Sequence, residues 1–430
     1  MAQRLRVSSS SYLVRCLLTI AVGVSVGCDD GGKAPGVDAA DARAMVDLPD
    51  AGVVDAALDQ PTSEIAPSDL PPETSDSPVR GDADSHVADG RTDVPEVLPA
   101  APGKLDLVLL VDNSSSMREE QDALRAAFPT FLKSLAGTTG SLPDLHVGVL
   151  SSNLGAGPTM VNSACPVGGD RGAFLAKPAC GLSLGEGKFM RVNGSDNNVA
   201  GGPDQWATAV ACLAELGVFG CGYEHQLASL AFGLGESASS GANRGFLRED
   251  AVLAVVILSD EDDCSGSVND ADFYEGLVAG QAGSVRCSLR GHVCDGNPVP
   301  PMSFEAPLTE CSPYQRNDAT ESKSRLINVS TFVDAVKAAK KGRLDKIFVG
   351  SIMGWSDDPA ARYRIVLNGG DIDTGMICQH PRTGRAAPGI RLHAFTKAFP
   401  NNAVHAICNP DLAAPMADLA TKISALLPSP

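Results

Sequence analysis

Residues 105 to 117 read LDLVLLVDNSSSM. A short apolar run, interrupted only by Asp106, ends in Asp112, and two hydroxyls, Ser114 and Ser116, follow at alternate positions. The run is too short to span a membrane, so it predicts a strand buried on both faces. Beyond Met117 the spacing becomes helical, with Leu124, Ala127, Phe128, Phe131, Leu132 and Leu135 along one side. Asp112, Ser114 and Ser116 therefore fall in the loop between the carboxyl end of a strand and a helix, where open α/β sheets carry their ligands. A bare Asp-x-Ser-x-Ser is a weak signal, because the same residue types cap helices, and capping by Ser114 or Ser116 is the plain alternative.

Two later stretches strengthen the case for a site. Ala251 to Leu258, AVLAVVIL, is a second buried strand, and it runs into Ser259 and Asp260. That places another carboxylate where the first strand placed Asp112. Between them, Gly220 to Glu224 opens a helix whose apolar positions are Leu227, Leu230 and Leu234.

Together these stretches resemble a von Willebrand factor type A domain. In that family an Asp-x-Ser-x-Ser after the first strand, a Thr from a neighbouring loop and an Asp after the fourth strand form a metal-ion-dependent adhesion site. The resemblance implies Asp112, Ser114, Ser116 and Asp260 as metal ligands. The Thr has no match, but Glu224 falls where integrin β-subunit domains, a branch of the family, carry a Glu as ligand. Glu119 and Glu120 fall where that branch has acids at a second, adjacent cation site; acids in a first helical turn also serve the helix dipole. The implied fold is a doubly wound, mostly parallel α/β sheet with helices on both faces.

The donor set has a chemistry of its own. Hydroxyl and carboxylate oxygens are hard ligands suited to Mg2+, Mn2+ or Ca2+. Two serines add no charge, so a cation held among them stays electron-poor enough to take a carboxylate from a protein partner. A Glu at position 224 lowers that residual charge relative to a Thr.

The amino terminus carries Arg4, Arg6 and Arg15, then an apolar run from Leu17 to Val26, then Gly27 and Cys28. This reads as an export signal over residues 1–27. Ser25 to Cys28 resembles a bacterial lipobox, in which the cysteine, here Cys28, becomes the lipidated first residue, with Ser25 standing where Leu is usual. Acyl chains on Cys28 would attach the protein to a membrane of the bacterial cell envelope, the outer membrane or cell surface in preference to the inner membrane.

Residues 28–103 are rich in Asp, Ala, Pro and Val and lack Tyr, Phe and Trp. From Asp29 to Gly103 there are 17 acidic and 4 basic residues, so most of the net charge of −18 lies here. Such a stretch cannot bury enough apolar surface to offset its ordering entropy and is expected to be a disordered tether. About 75 residues reach at most ~230 Å as an extended chain and ~50 Å as a coil. The acidity argues against nucleic acid as a partner.

Residues 104–430 are long for one domain of this type, and insertions at about 152–204, 264–325 and 355–390 account for the excess. Within this part the spacing predicts a strand at Leu145 to Leu150, a short edge strand at Phe189 to Val192, and helices at Trp206 to Leu216 and from Glu224. Phe332 to Ala339 reads as a helix, Lys346 to Met353 as a strand, Leu392 to Phe399 as a helix and Ala403 to Cys408 as a strand. A last helix contains Leu412, Met416, Leu419, Ile423 and Leu427. Pro129 is expected to kink the first helix.

Apart from Cys16 and Cys28, ten cysteines remain, an even number in an exported chain, which predicts up to five disulfides. Local pairing suggests Cys165 with Cys180, Cys212 with Cys221, Cys287 with Cys294 and Cys378 with Cys408. No Cys-x2-Cys supports zinc instead.

Catalytic patterns are missing: there is no H-E-x-x-H, G-x-S-x-G or Walker A motif. The seven histidines are scattered, and His225 is expected on a helix surface. In the acidic run Asp260 to Asp263 the members other than Asp260 could bind a second ion, pair with bases in the insertions or, as the plainest expectation, be solvated. The expected function is non-enzymatic binding of a carboxylate-bearing protein through a divalent cation. Two alternatives stand beside it: a metal-dependent assembly or remodelling factor for an envelope machine, and a structural envelope protein with a degenerate site.

Overall fold

The computed structural model describes residues 103–137, 141–158, 163–193, 196–235, 238, 241–267, 274, 283–299, 307–317, 325–358, 361–368 and 371–428. The export signal, Cys28 and the acidic tether lie outside the described residues.

A six-stranded sheet organises the domain. Its strands are β1 (Lys104–Val111), β2 (Asp144–Ser151), β3 (Met190–Val192), β4 (Val252–Ser259), β8 (Ile347–Met353) and β13 (Asn402–Ala406), in the order β3-β2-β1-β4-β8-β13. All neighbours are parallel except β3, which runs antiparallel to β2 at one edge. The order reverses direction at β1, between β2 and β4. The gap between the carboxyl ends of two such neighbours is the usual ligand position in an open sheet.

Period-two alternation splits the apolar run of each central strand between two cores. Leu105, Leu107, Leu109 and Val111 of β1 and Val252, Ala254, Val256 and Leu258 of β4 face one side. There they meet α1 (Arg118–Ala136), α2 (Pro203–Ala214) and the carboxy-terminal α7 (Ala413–Ser424). Val108, Leu110, Leu253, Val255 and Ile257 face the other side, against α3 (Gln226–Leu234), α5 (Val329–Ala339) and α6 (Ile390–Lys397). The doubly wound α/β class is therefore observed directly. Among the described residues no helix is long and apolar enough to cross a membrane.

Helix α1 continues through Pro129 to Ala136. The missing N–H of proline removes one helical bond, but Phe128, Phe131 and Leu132 on either side are buried in the sheet face and keep the segment helical. The segments expected as irregular insertions contain small structure of their own. Helix α4 (Gly283–Gly291) leads into β5 (His292–Cys294), which pairs with β6 (Asn297–Pro298) and β7 (Ser312–Pro313). Two hairpins follow, β9 (Ile365–Asn368) with β10 (Asp371–Thr374) and β11 (Cys378–His380) with β12 (Gly384–Ala386).

Among the described residues five disulfides form: Cys165–Cys221, Cys180–Cys212, Cys264–Cys287, Cys294–Cys311 and Cys378–Cys408. The expectation of five bridges and the pair Cys378–Cys408 agree with this set. The pairs Cys165 with Cys180, Cys212 with Cys221 and Cys287 with Cys294 are corrected. Nearness in sequence misled there because α2 carries Cys212 back beside Cys180, and the following loop carries Cys221 across to Cys165.

Candidate metal centre

The loop after β1 is built around the Asp112 carboxylate, which is fully buried. The Ser114 N–H donates to Oδ1 at 2.8 Å, and the Ser259 hydroxyl donates to Oδ2 at 2.6 Å. Ser152, just after β2, adds a longer contact to Oδ1 at 3.4 Å. The backbone of Asp112 is fixed as well, since its N–H donates to the Leu258 carbonyl at 2.9 Å. Asp112 is thus held where the ends of β1, β2 and β4 meet.

Ser114 and Ser116 do not cap α1. Met117 stands at the cap position without a side-chain hydrogen bond, and the two serine hydroxyls lie 3.2 Å from each other. Ser114 is buried and Ser116 is exposed. The Ser116 hydroxyl stands near enough to the Asp260 carboxylate to oppose the rise of its carboxyl. Asp112, Ser114, Ser116 and Asp260 therefore form one connected group that opens to solvent at Ser116.

Glu224 reaches the group from a third loop. Its carbonyl accepts the Cys264 N–H at 2.7 Å, and the next residue, His225, donates its N–H to the Ser152 carbonyl at 2.8 Å. The Glu224 side chain is 1% exposed, and neither carboxylate oxygen has a hydrogen-bond donor. It faces Glu261, a further carboxylate that the pattern of the sequence did not single out.

The electrostatics of this group are one-sided. Burial, followed by the charges of Glu261 and Asp112, pushes the Glu224 carboxyl well above its ordinary range. Burial, then Asp112 and Glu261, does the same to Asp260. Burial raises Asp112 too, opposed by the Ser259 and Ser114 hydrogen bonds. Glu261 rises to about 7 through burial and Asp112. No Lys or Arg forms an ion pair with any of these acids among the described residues. Burying carboxylates without partners costs several kcal/mol each unless a proton or cation joins them.

The two acids expected at an adjacent cation site separate. Glu119 is exposed, whereas Glu120 is fully buried. The Glu120 carboxylate lies against the backbone of Gly384 in β12, where a side chain's Cβ would come within 1.7 Å of Oε1 and where φ is +69°. Glycine is the residue that allows both that approach and that φ. Both Glu120 oxygens lack donors, and burial raises the carboxyl to about 7.

Two expectations about neighbouring residues are corrected. His225 is fully buried, not on a surface, with Nε2 3.1 Å from the Gly155 carbonyl, and burial lowers it to about 4. Asp262 and Asp263 are not solvated either. Asp262 accepts the Arg391 and Leu392 N–H groups at the start of α6 and pairs with His292 at 2.6 Å. Asp263 accepts the Leu227 N–H of α3 and pairs with the fully buried Arg391 at 2.9 Å. These two acids fix the helix starts beside the site, a role that spacing did not signal because the helix N–H groups they accept come from residues 36 to 130 positions away.

The donors suit a hard divalent cation. They are all oxygen, and three of them, Asp260 Oδ1 and both Glu224 oxygens, are buried without partners. Among the described residues no group of three or more His, Cys, Asp or Glu side chains stands close enough to hold an ion by itself. The set instead depends on serine hydroxyls beside the carboxylates.

A doubly wound sheet with an Asp-x-Ser-x-Ser loop after β1 and an acidic loop after β4 is the arrangement that the resemblance to von Willebrand factor type A domains implied, and the chain has that doubly wound α/β fold. No family model matches the chain, and no curated protein does. Similar solved structures include a von Willebrand factor type A protein from Catenulispora acidiphila, at 11% identity and a TM-score of 0.31, covering 75% of this chain and 43% of that one. The pilus adhesin SpaC from Lactobacillus rhamnosus GG in its open conformation has 13% identity and a TM-score of 0.31, with 76% and 31% covered. The vWF domain of the type V pili tip protein Mfa5 from Porphyromonas gingivalis has 12% identity and a TM-score of 0.34, with 77% and 98% covered. The chain spans less than half the length of the first two. The fold assignment rests on the strand order and the site loops described above.

Proposed function

We propose that this chain is an exported, lipid-anchored envelope protein whose type A domain binds a carboxylate-bearing protein partner through a divalent cation. Asp112, Ser114, Ser116, Glu224 and Asp260 hold the cation, Mg2+ with Mn2+ or Ca2+ as substitutes. The signal occupies residues 1–27, Cys28 carries the lipid, residues 28–103 form the tether, and residues 104–430 form the domain. The observation that carries the reading is the cluster of buried carboxylate oxygens without donors at Glu224 and Asp260, beside the exposed Ser116.

When bound, the cation would supply a Lewis-acidic position for an incoming carboxylate. The chain's own residues prepare that position. Ser259 and the Ser114 N–H orient Asp112, and Ser114 and Ser116 offer neutral oxygens that add no further negative charge to that of the carboxylates. The second site expected at Glu119 and Glu120 rests on Glu120, because Glu119 is turned to solvent.

Calorimetric titration of the full chain with Mg2+, Mn2+ and Ca2+ tests the reading. Binding is expected for the unaltered chain and is expected to be lost in Asp112→Ala and weakened in Glu224→Ala. At a hundredfold excess over Kd the ion stabilises the fold by about 2.7 kcal/mol, read as a rise in Tm that a chelator reverses. Equal binding in all three proteins would overturn the ligand assignment. Unchanged Tm with ion and with chelator would favour the degenerate structural site.

A further inference from the structure

Phe219 is 88% exposed, the most exposed of the large apolar side chains among the described residues. It does not sit on a loose loop. The Gly220 N–H donates to the Asn113 carbonyl at 2.7 Å, and Asn113 lies between Asp112 and Ser114. Gly220 is pressed so closely there that a Cβ would meet Asn113 Oδ1 at 2.2 Å.

On the other side of Phe219, the Gln121 side chain makes a two-way link. Its Nε2 donates to the carbonyls of Gly217 at 2.9 Å and Asp112 at 2.8 Å, and its Oε1 accepts the Gly217 N–H at 3.0 Å. The loop is further fastened by the Cys165–Cys221 disulfide. Val167, 47% exposed, lies two residues from the other half of that bridge. Asn153 Nδ2 donates to the Ala164 carbonyl and ties this second loop back to the end of β2.

Two loops joined by one disulfide therefore each hold an apolar side chain in water, and the one that carries Phe219 is bonded directly to Asn113 beside Asp112. Their backbones are bonded to the segments that carry the site residues. A ring kept in water by a fastened backbone gains nothing for the fold, whereas aromatic anchors dominate binding at protein interfaces.

We infer that Phe219 is the apolar half of the recognition surface, and that the partner is a protein segment presenting an Asp or Glu next to a large apolar side chain. The carboxylate goes to the cation and the apolar neighbour packs on Phe219. The inference rests on the cation reading above and adds the partner's second chemical feature.

The test is selection of random peptides displayed on phage against the full chain in Mn2+, followed by affinity measurements on an enriched peptide. Enriched peptides are expected to pair an acid with an adjacent aromatic or aliphatic residue. Phe219→Ala is expected to weaken the enriched peptide about tenfold or more while leaving Mn2+ affinity unchanged. Replacing the peptide's apolar residue with Ala is expected to have the same effect, with no additional loss when both changes are combined. Acidic peptides without an apolar neighbour, unchanged affinity in Phe219→Ala, or no enrichment would overturn the inference. Enriched peptides that depend on Phe219 but bind equally well in chelator would overturn the cation reading instead.

Discussion

Buried acids lie at both ends of the central sheet, and Asp106 at one end and the Asp112 group at the other are treated in opposite ways. At the amino ends of the strands, Asp106 is fully buried, yet it accepts the Arg248 N–H at 2.7 Å and its guanidinium Nε at 2.8 Å. Arg248 also reaches Asp144 at 2.5 Å and the carbonyls of Leu105 and Asp144. The Lys340 ammonium in turn donates to the Arg248 carbonyl at 2.6 Å. At the carboxyl ends, Asp112, Glu224, Asp260, Glu261 and Glu120 gather with hydroxyls and backbone N–H groups but no paired base. One end is a closed ionic network that joins β1, β2 and the loop before β4. The other is an open negative charge that something outside the chain must balance. Paired buried charge is weak evidence of function, while unpaired buried charge asks for a ligand.

Breaking the closed end is expected to give the largest effect. Arg248→Met leaves the buried Asp106 with a backbone N–H but no guanidinium, and should destabilise the domain by about 3–5 kcal/mol, read as a fall in the urea midpoint. A loss under ~1 kcal/mol would mean that the two ends are not different in kind. At the open end the sign reverses. With chelator present, Glu224→Gln removes a carboxylate that burial and its neighbours Glu261 and Asp112 disfavour. That should stabilise the domain by about 1–2 kcal/mol at neutral pH.

The sign follows from proton linkage. Carboxyls raised in the folded state contribute stability at low pH that is lost as pH rises, here through about 7 for Glu261 and Glu120. The gain from Glu224→Gln should therefore shrink below pH 5. A loss of stability in chelator would contradict the picture of unbalanced charge.

The sequence announced the open end far better than the closed one. Asp112 and Asp260 stand where apolar runs stop, and a polar residue at the end of a buried strand is visible without coordinates. The alternation that divides Leu105 from Val108 between two cores is equally local. Glu261 was missed because its neighbour Asp260 already satisfied the pattern, and nothing in a run of four acids tells which are buried. The partners of Asp106, Asp262 and Asp263 come from Arg248, His292 and Arg391, residues 30 to 142 positions away. Such pairs are set by the crossovers, not by spacing. Three of the four expected disulfide pairs failed for the same reason: Cys165 and Cys221 are 56 positions apart and meet because the loops after β2 and before α3 converge on one site.

The smallest effect belongs to His146, on β2 next to the closed network. Its Nδ1 lies 2.8 Å from the Phe246 carbonyl, and the ring is packed 4.9 Å from Phe189. Burial lowers it to about 4, and the positive charge of Arg248 works in the same direction. The folded domain therefore refuses a proton that the unfolded chain accepts near 6.5. Stability from this residue is full above that value and is lost as pH falls toward 4. Asp106, raised to about 6 by burial, titrates in an overlapping window with the opposite sign, so the two must be separated by substitution. Between pH 7 and pH 5 the unaltered domain should lose about 1 kcal/mol relative to His146→Gln, allowing for partial solvent screening. Proton resonances of the His146 ring that titrate near 6.5 would show that the network at the amino ends tolerates another positive charge, and the closed end would then be less closed than its hydrogen bonds imply.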